Sequence, residues 1–486
     1  MEQEKDLKNN KVGKEKKAKK RINGYILGMV YLFILLFAGL AGYLCYFTWK
    51  EAPDMVNSPY NGRLEKLNET CVRGEIVSAD GRTLAVSRLN DDGEESRSYP
   101  FGRVFSHVIG YTSVGEAGME SSANYYLLNS HESKINKLYK ELTDKKATGD
   151  TVYTTLNSDL QQIIYDAMEG YQGACVVLEP STGKILAMVS KPDFDPNTLE
   201  EDYASLVSDS SNSNLVNRAT QGLYSPGSTF KIVTALAFLE QHPGDWQDYT
   251  YNCQGSITLD GKTIRCSHGN SHGTVDLKKA FELSCNGAFI NLGVSLDLND
   301  FRKTAERLQF NQKLSTGFSA ASGRFSLDGD SSLWDVMQTS FGQGSTLVTP
   351  LQNAMITAAV ANGGIMMKPY YLDKVVSVDG TEVEAFGPES LGSVMTAEQA
   401  SILGEMMTGV VNEGTAKILQ SDHYQAAAKT GSAQTDSDKE TDAWLTAYAP
   451  ADDPQVVVSI VLEEGGAGSE AGGPIVKKIF DALLAD

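Results

Sequence analysis

No charged side chain occurs between Ile22 and Trp49, and that stretch limits what the rest of the chain can be. Its centre reads "GYILGMVYLFILLFAGLAGYLCYF", longer than the ~20 apolar residues that carry a helix across a bilayer. Tyr43, Tyr46, Phe47 and Trp49 form an aromatic belt at one end. Residues 1–21 hold nine Lys/Arg against four Asp/Glu, a net of +5. Such a basic flank is retained on the cytoplasmic side. The expectation is therefore a cytoplasmic tail over 1–21, a membrane anchor over 22–49, and everything from 50 to 486 outside. A cleaved signal peptide has a shorter apolar run and an A-x-A site, which this chain lacks. A lipoprotein site at Cys45 fails because Leu44 stands where a small residue is needed.

The overall net charge is −20, so residues 22–486 carry −25. Phosphate repulsion makes such a chain a poor nucleic-acid binder. With 486 residues there is material for two or three domains. Six cysteines in so long a chain are not a disulfide scaffold. Cys253 and Cys266 flank "QGSITLDGKTIR", an alternating segment with a D-G turn, so a hairpin should bring them together. Outside the membrane a disulfide between them is the expectation. Free thiols are one rival. The other is zinc held by Cys253, Cys266, His268 and His272, a spacing that fits no standard finger well.

Residues 50–70 read as a polar connector, with turn formers in "PDMVNSPYNGR". Segments such as "RGEIVSADGRTLA" and "SRSYPFGRVFSHVIGYTS" predict a small β-rich module up to residue 147. Beyond it, "TVYTTLNSDLQQIIYDAM" predicts a strand, a cap between Asn157 and Asp159, and a helix. "GACVVLEPSTGKILAMVS" predicts two strands around a turn, "SDSSNSN" a polar loop, "DAWLTAYAP" and "QVVVSIVLEE" buried strands, and "PIVKKIFDALLAD" a closing helix. Strands before and after a block of helices indicate an α+β domain with one antiparallel sheet over 148–486.

The chemistry begins at "LYSPGSTFKIVTALAFLE". From Phe230 to Leu239 the only charge is Lys231, in a helix apolar on nearly every side. A buried ammonium is costly unless it is paired or has lost its proton. With a helix starting near Pro226, Ser228 lies one turn before Lys231 on the same face. A neutral lysine there can take the serine proton. Two further stretches matter: "LSCNGAF" sets Ser284 two residues before Asn286, and "AAAKTGSAQT" holds Lys429, Thr430, Gly431 and Ser432. A glycine at a strand edge admits close approach of a ligand backbone. Alone, S-x-x-K, S-x-N and K-T-G are each commonplace; as an ordered set they belong to penicillin-binding proteins and β-lactamases.

The chain resembles the class B penicillin-binding proteins, the monofunctional peptidoglycan transpeptidases. "RGEIVSADGRTLA", "NRATQGLYSPGSTFK", "FGQGSTLVTPLQNAMITAAVANGG" and "KTGSAQT" carry the likeness; Cys285, inside S-x-N, is a departure at a variable position. The resemblance implies a penicillin-binding transpeptidase fold, an antiparallel sheet flanked by helices, on an N-terminal pedestal. It implies Ser228 as nucleophile towards a D-alanyl-D-alanine stem peptide and Lys231 as its base. Ser284 would relay a proton under the influence of Lys429, and Asn286 would hold Lys231 and the substrate amide. Thr430 would bind the terminal carboxylate, in a substrate strand with Gly431 and Ser432. The N–H groups of Ser228 and Ser432 would form the oxyanion hole. β-Lactams would acylate Ser228. No metal or organic cofactor is required by the scheme. A polytopic glycosyltransferase of the SEDS type, with other elongation or division proteins, is the implied partner.

A D,D-carboxypeptidase or β-lactamase shares these motifs and is the first rival. The long N-terminal module, the anchor and the lack of a suitably placed E-x-x-x-N stretch weigh against it. A non-catalytic sensor or division scaffold is the second. Twenty-one residues before the anchor cannot house signalling machinery, and no motif residue is missing.

Overall fold

The computed structural model describes residues 2–47, 70–90, 94–143, 145–209, 213–435 and 439–485. Trp49, the connector "PDMVNSPYNGR" and the middle of "SDSSNSN" lie outside the described residues. Two compact units, 1–62 and 63–486, are resolved. In the first, one helix runs Glu2–Tyr46. Its apolar portion, Tyr25–Tyr46, is 22 residues long, about 33 Å at 1.5 Å per residue, which matches a bilayer core. Leu32, Leu35 and Phe37 on it are exposed.

The second unit is built on a five-stranded antiparallel sheet. Its order is Ala427–Ala433, Asp442–Ala449, Val456–Leu462, Gly173–Leu178, Ile185–Lys191. The three inner strands are buried throughout, as their largely apolar runs require, because helices cover both faces. Thr446 pairs across the strands with Ser459. Both turn to helix Pro350–Ala361, where Thr357 Oγ1 lies 2.6 Å from Thr446 Oγ1 and Asn353 Nδ2 donates to Ser459 Oγ at 3.1 Å. The next pair, Leu445 and Ile460, turns the other way, against Gly472 of helix Gly468–Leu484. That closing helix starts six residues before the expected Pro474. "GSEAGG" has weak helix propensity, but its small residues let the helix lie on the sheet. A Cβ on Gly468 would fall 1.9 Å from the Trp444 carbonyl oxygen. Asn157 caps helix Ser158–Ala167 as expected, accepting from the Leu160 N–H at 2.9 Å.

A second sheet of six strands runs Glu382–Ala385, Leu372–Val376, Thr151–Thr154, Ile76–Val77, Thr83–Leu89, Glu95–Ser98. It draws strands from both sides of residue 147. The segment expected to continue as strands after Ser98 is instead helical, with a 3₁₀ turn at Gly102–Phe105 and an α-turn at Ser106–Ile109. The apolar residues Phe101, Val104, Phe105, Val108 and Ile109 recur at i, i+3, i+4, i+7 and i+8, a helical period. Three more helices follow at Gly118–Ser122, Asn124–Leu128 and Lys134–Leu142.

Glu120 is the fixed point of this region. Its carboxylate accepts from Arg73 Nε at 2.6 Å and Arg97 Nε at 2.8 Å, with all three side chains buried. Burial pushes its carboxyl pKa up, but the two guanidiniums outweigh that and hold it below the usual range. Glu120→Ala leaves buried Arg97 without its carboxylate and Arg73 with only the longer Glu116 contact at 3.6 Å. It is expected to destabilise the unit by about 3–5 kcal/mol, read as a lowered urea midpoint of the detergent-solubilised chain. An unchanged midpoint would mean the pair contributes nothing.

Candidate active site

Ser228 sits in a 3₁₀ turn, Gly227–Phe230, that leads into helix Lys231–Gln241. The expected α-helical first turn is thus a tighter one. In a 3₁₀ turn residues i and i+3 eclipse, so Ser228 and Lys231 share a face more directly than an α-turn would place them. Two glycines make the turn. Gly227 has φ +53, in the left-handed region, and its N–H donates to the Gly342 carbonyl at 2.8 Å. A Cβ on Gly342 would lie 1.8 Å from the Gly227 oxygen, so only glycine fits there. Thr229 Oγ1 donates to the Pro226 carbonyl at 2.7 Å and locks the turn from behind. Ser228 is partly exposed, while Lys231 and every residue to Leu239 are buried.

Lys231 ends in a closed shell of acceptors. Its Nζ donates to the Ser284 carbonyl at 2.7 Å and the Asn286 Oδ1 at 2.8 Å, and lies 3.1 Å from Ser284 Oγ. Asn286 is held in turn, its Nδ2 donating to the Arg265 carbonyl at 3.1 Å. Lys429 approaches from the other side, with Nζ 2.9 Å from Ser284 Oγ and 3.0 Å from the Thr430 carbonyl. One hydroxyl therefore sits between two lysines that are both 0% exposed. Burial pushes the Lys231 amine down to about 7, partly opposed by the thiols of Cys285 and Cys266. Burial, together with the charge of Lys231, drives Lys429 well below the ordinary lysine range. Two ammonium ions cannot share this space, so the site favours at least one neutral amine. Ser284 itself has φ +52, a left-handed backbone that serine rarely adopts.

Lys429, Thr430, Gly431 and Ser432 lie on strand Ala427–Ala433, at the free edge of the five-stranded sheet. An open edge can pair with an extended peptide. Gly431 is required by close packing: a Cβ there would meet Trp444 Cβ at 3.0 Å and the Pro226 oxygen at 3.3 Å. The Ser228 turn adjoins the same strand, since a Cβ on Gly227 would lie 3.0 Å from the Ser432 oxygen. Ser432 is exposed, and Thr430 Oγ1 is 2.6 Å from Thr415 Oγ1. Thr415 and Trp444, whose Nε1 donates to the Ser225 carbonyl at 3.1 Å, belong to no motif read from the sequence, and Gly342 was read only as part of a stretch carrying the resemblance, with no role of its own. "FGQGSTLVTP" did contain a signal, in glycines at 342 and 344 that need positive φ.

The cysteine region differs from its expectation. The hairpin forms, Ser256–Leu259 against Lys262–Arg265, with Asp260 and Gly261 both at positive φ as a type I′ turn requires. It does bring Cys253 near Cys266, but the sulfurs are 3.6 Å apart and every described cysteine is a free thiol. The expected disulfide is therefore not formed, because a bond needs about 2.05 Å. Nor does His268 join them. It lies in the turn Ser267–Gly269, exposed, with its Nδ1 3.0 Å from Ser267 Oγ. The group that does converge is Cys253, Cys266, His272 and Cys285.

Comparison with known proteins gives consistent matches. Residues 173–485 match the penicillin-binding protein transpeptidase domain, and 73–152 the penicillin-binding protein A dimerisation domain. The peptidoglycan D,D-transpeptidase PbpA of Mycolicibacterium smegmatis is 33% identical over 442 residues, 85% of this chain and 88% of that protein. Among solved structures, the ceftriaxone acyl-enzyme complex of penicillin-binding protein A from M. tuberculosis superposes with a TM-score of 0.79 at 30% identity, covering 87% of this chain and 100% of that one. A D,D-transpeptidase domain from Eggerthella lenta gives 0.77 at 31% identity, over 85% and 99%.

Proposed function

This chain belongs to the class B penicillin-binding proteins, the peptidoglycan D,D-transpeptidases, and on that premise we propose the part each residue plays. The observation that carries the assignment is the Ser284 hydroxyl held between two buried lysines, with a partly exposed serine one 3₁₀ turn before Lys231. Lys231, neutral, takes the proton of Ser228 as its Oγ attacks the carbonyl carbon of the penultimate D-alanine. The oxyanion that forms is met by the N–H groups of Ser228 and Ser432. The substrate pairs along strand Ala427–Ala433, with its terminal carboxylate at Thr430. Asn286 fixes Lys231 and the substrate amide. As the C–N bond breaks, Ser284 passes a proton to the departing D-alanine, and Lys429 sets the readiness of that hydroxyl.

The acyl group then moves to an amine on a second stem peptide. That amine loses its proton to the same lysine relay, the new amide forms, and Ser228 regains its hydrogen. A β-lactam presents the same carbonyl and stays attached. All these groups are the chain's own.

The helix Tyr25–Tyr46 supports membrane anchoring. The basic run before it supports a cytoplasmic N-terminus with the catalytic unit outside, followed by a linker and pedestal to 147 and a transpeptidase domain from 148. A SEDS-type glycosyltransferase is the partner we propose, together with other elongation or division proteins.

The test is the fate of the acyl group. The full-length chain in detergent, given a D-alanyl-D-alanine donor and an excess of acceptor amine, is expected to release D-alanine and yield mainly the amide product. Free acid as the dominant product, whatever the amine concentration, would make it a carboxypeptidase. No D-alanine release would support a non-catalytic scaffold.

A further inference from the structure

We propose that helix Lys134–Leu142 lies on the membrane surface, its apolar face in the lipid and its lysines among anionic phospholipid headgroups. The helix is seated inside out. A surface helix ordinarily turns its apolar stripe to the core. Here Ile135, Leu138 and Leu142, at i, i+3 and i+7, share one face and are 80%, 56% and 77% exposed. The polar side faces the protein instead. Lys140 Nζ donates to Glu132 Oε1 at 2.5 Å and to Thr148 Oγ1 at 3.4 Å, and Glu132 is buried. Among the described residues of the second unit, the only other large apolar side chains more than half exposed are Val207 and Val378, and each stands alone. Three in one stripe mark a surface that something covers.

Charge identifies the cover. Residues 134–146 hold five lysines against Glu141 and Asp144, a net of +3, in a chain whose residues 22–486 carry −25. Lys137 and Lys145 are exposed. A lysine-rich amphipathic helix gains at a bilayer surface from buried apolar area and from attraction to anionic lipid together. Lysine stems run along the apolar stripe while their ammonium groups reach headgroup phosphates. A protein partner fits less well. Lysine is depleted in the cores of protein interfaces, and nine residues make a helix only about 13 Å long. The path of the chain agrees. Strand Cys71–Val72, by which the chain enters the second unit, pairs in parallel with Ala147–Thr148, which follows the helix. Only 24 residues separate Cys71 from Tyr46, the end of the apolar helix. The proposal rests on the anchoring reading and gives the pedestal a second hold on the same bilayer.

The test puts a photo-reactive side chain into the full-length protein, reconstituted in vesicles of phosphatidylcholine and phosphatidylglycerol mixed three to one. Leu138→p-benzoylphenylalanine is expected to gain a phospholipid adduct on irradiation, read by mass spectrometry of its peptide. The yield should be at least about fivefold above that of Asn136→p-benzoylphenylalanine, on the other side of the helix. In phosphatidylcholine alone, or with Lys137→Glu and Lys145→Glu added, it should fall about threefold or more. Equal yields in neutral and anionic vesicles would refute the headgroup contacts. Leu32→p-benzoylphenylalanine, in the apolar helix, reports on anchoring separately. An adduct there and none at Leu138 would overturn the proposal and leave the anchor standing. None at either would remove the anchoring reading, and the proposal with it. The same irradiation in membranes isolated from the expressing cells covers the protein occupants. There, a cross-link from position 138 to a second copy or to another protein, in place of lipid, would overturn the proposal. Labelling by a fluorescent penicillin checks that each variant is folded. Should the Leu138 variant fail that check, exposed Leu142 carries the reporter with the same expected outcome.

Discussion

Lys231→Arg is expected to lose acylation by a β-lactam almost as completely as Lys231→Ala, by about 10²–10⁴-fold, the range of a lost general base. The argument rests on charge state. Lys231 is fully buried, and burial brings its amine down to about 7, within reach of the neutral form. Arginine keeps the positive charge and can donate to the acceptors that Lys231 meets at Ser284 and Asn286, but it does not lose its proton in a protein. If the group served only as a fixed cation, arginine would retain a sizeable share of the rate. The sign of the pH dependence follows. The base is active when unprotonated, so the wild-type acylation rate should rise with pH through about 7 and level off above it. At pH 6 it should be about tenfold below the plateau. A flat profile from pH 6 to 9, or substantial activity in the arginine variant, would contradict the base role. Second-order rate constants with a chromogenic β-lactam supply both readings.

The residues that converge at the candidate site were legible because they are concentrated in short strings. A lone lysine in "FKIVTALAFL" conflicts with burial unless it has a task, and that conflict was visible from residue types alone. Ser284, Asn286 and Lys429 needed the ordered set of motifs, since 145 residues separate the hydroxyl of Ser284 from the amine that meets it. The buried strands were legible for a similar reason: "AWLTAYA" and "VVVSIVL" have no polar face to misread. The helical turns at Gly102–Ile109 were missed because short alternation was weighed above the i, i+3, i+4 recurrence of Phe101, Val104 and Phe105. The start of the closing helix was missed because local propensity at "GSEAGG" gives way to packing on Trp444. The cysteine group was half legible. The D-G turn placed Cys253 beside Cys266, but Cys285 reaches them only through tertiary folding, and His272 was grouped with the wrong histidine. No spacing rule joins side chains 13, 6 and 13 residues apart across a hairpin, a turn and a helix cap.

Ser228 bears the largest single effect. Its hydroxyl is the only group in the scheme that forms a bond to the substrate, so Ser228→Ala should abolish covalent labelling while leaving the fold intact. The change is small and lies at a partly exposed position whose turn is locked by Thr229, Gly227 and Gly342 rather than by the Ser228 side chain. The most direct measurement is mass spectrometry of the detergent-solubilised full-length chain after incubation with benzylpenicillin, followed by digestion. The account predicts one drug mass per chain, located on Ser228, and none on Ser228→Ala. An adduct on any other residue, or undiminished modification of the alanine variant, would contradict it.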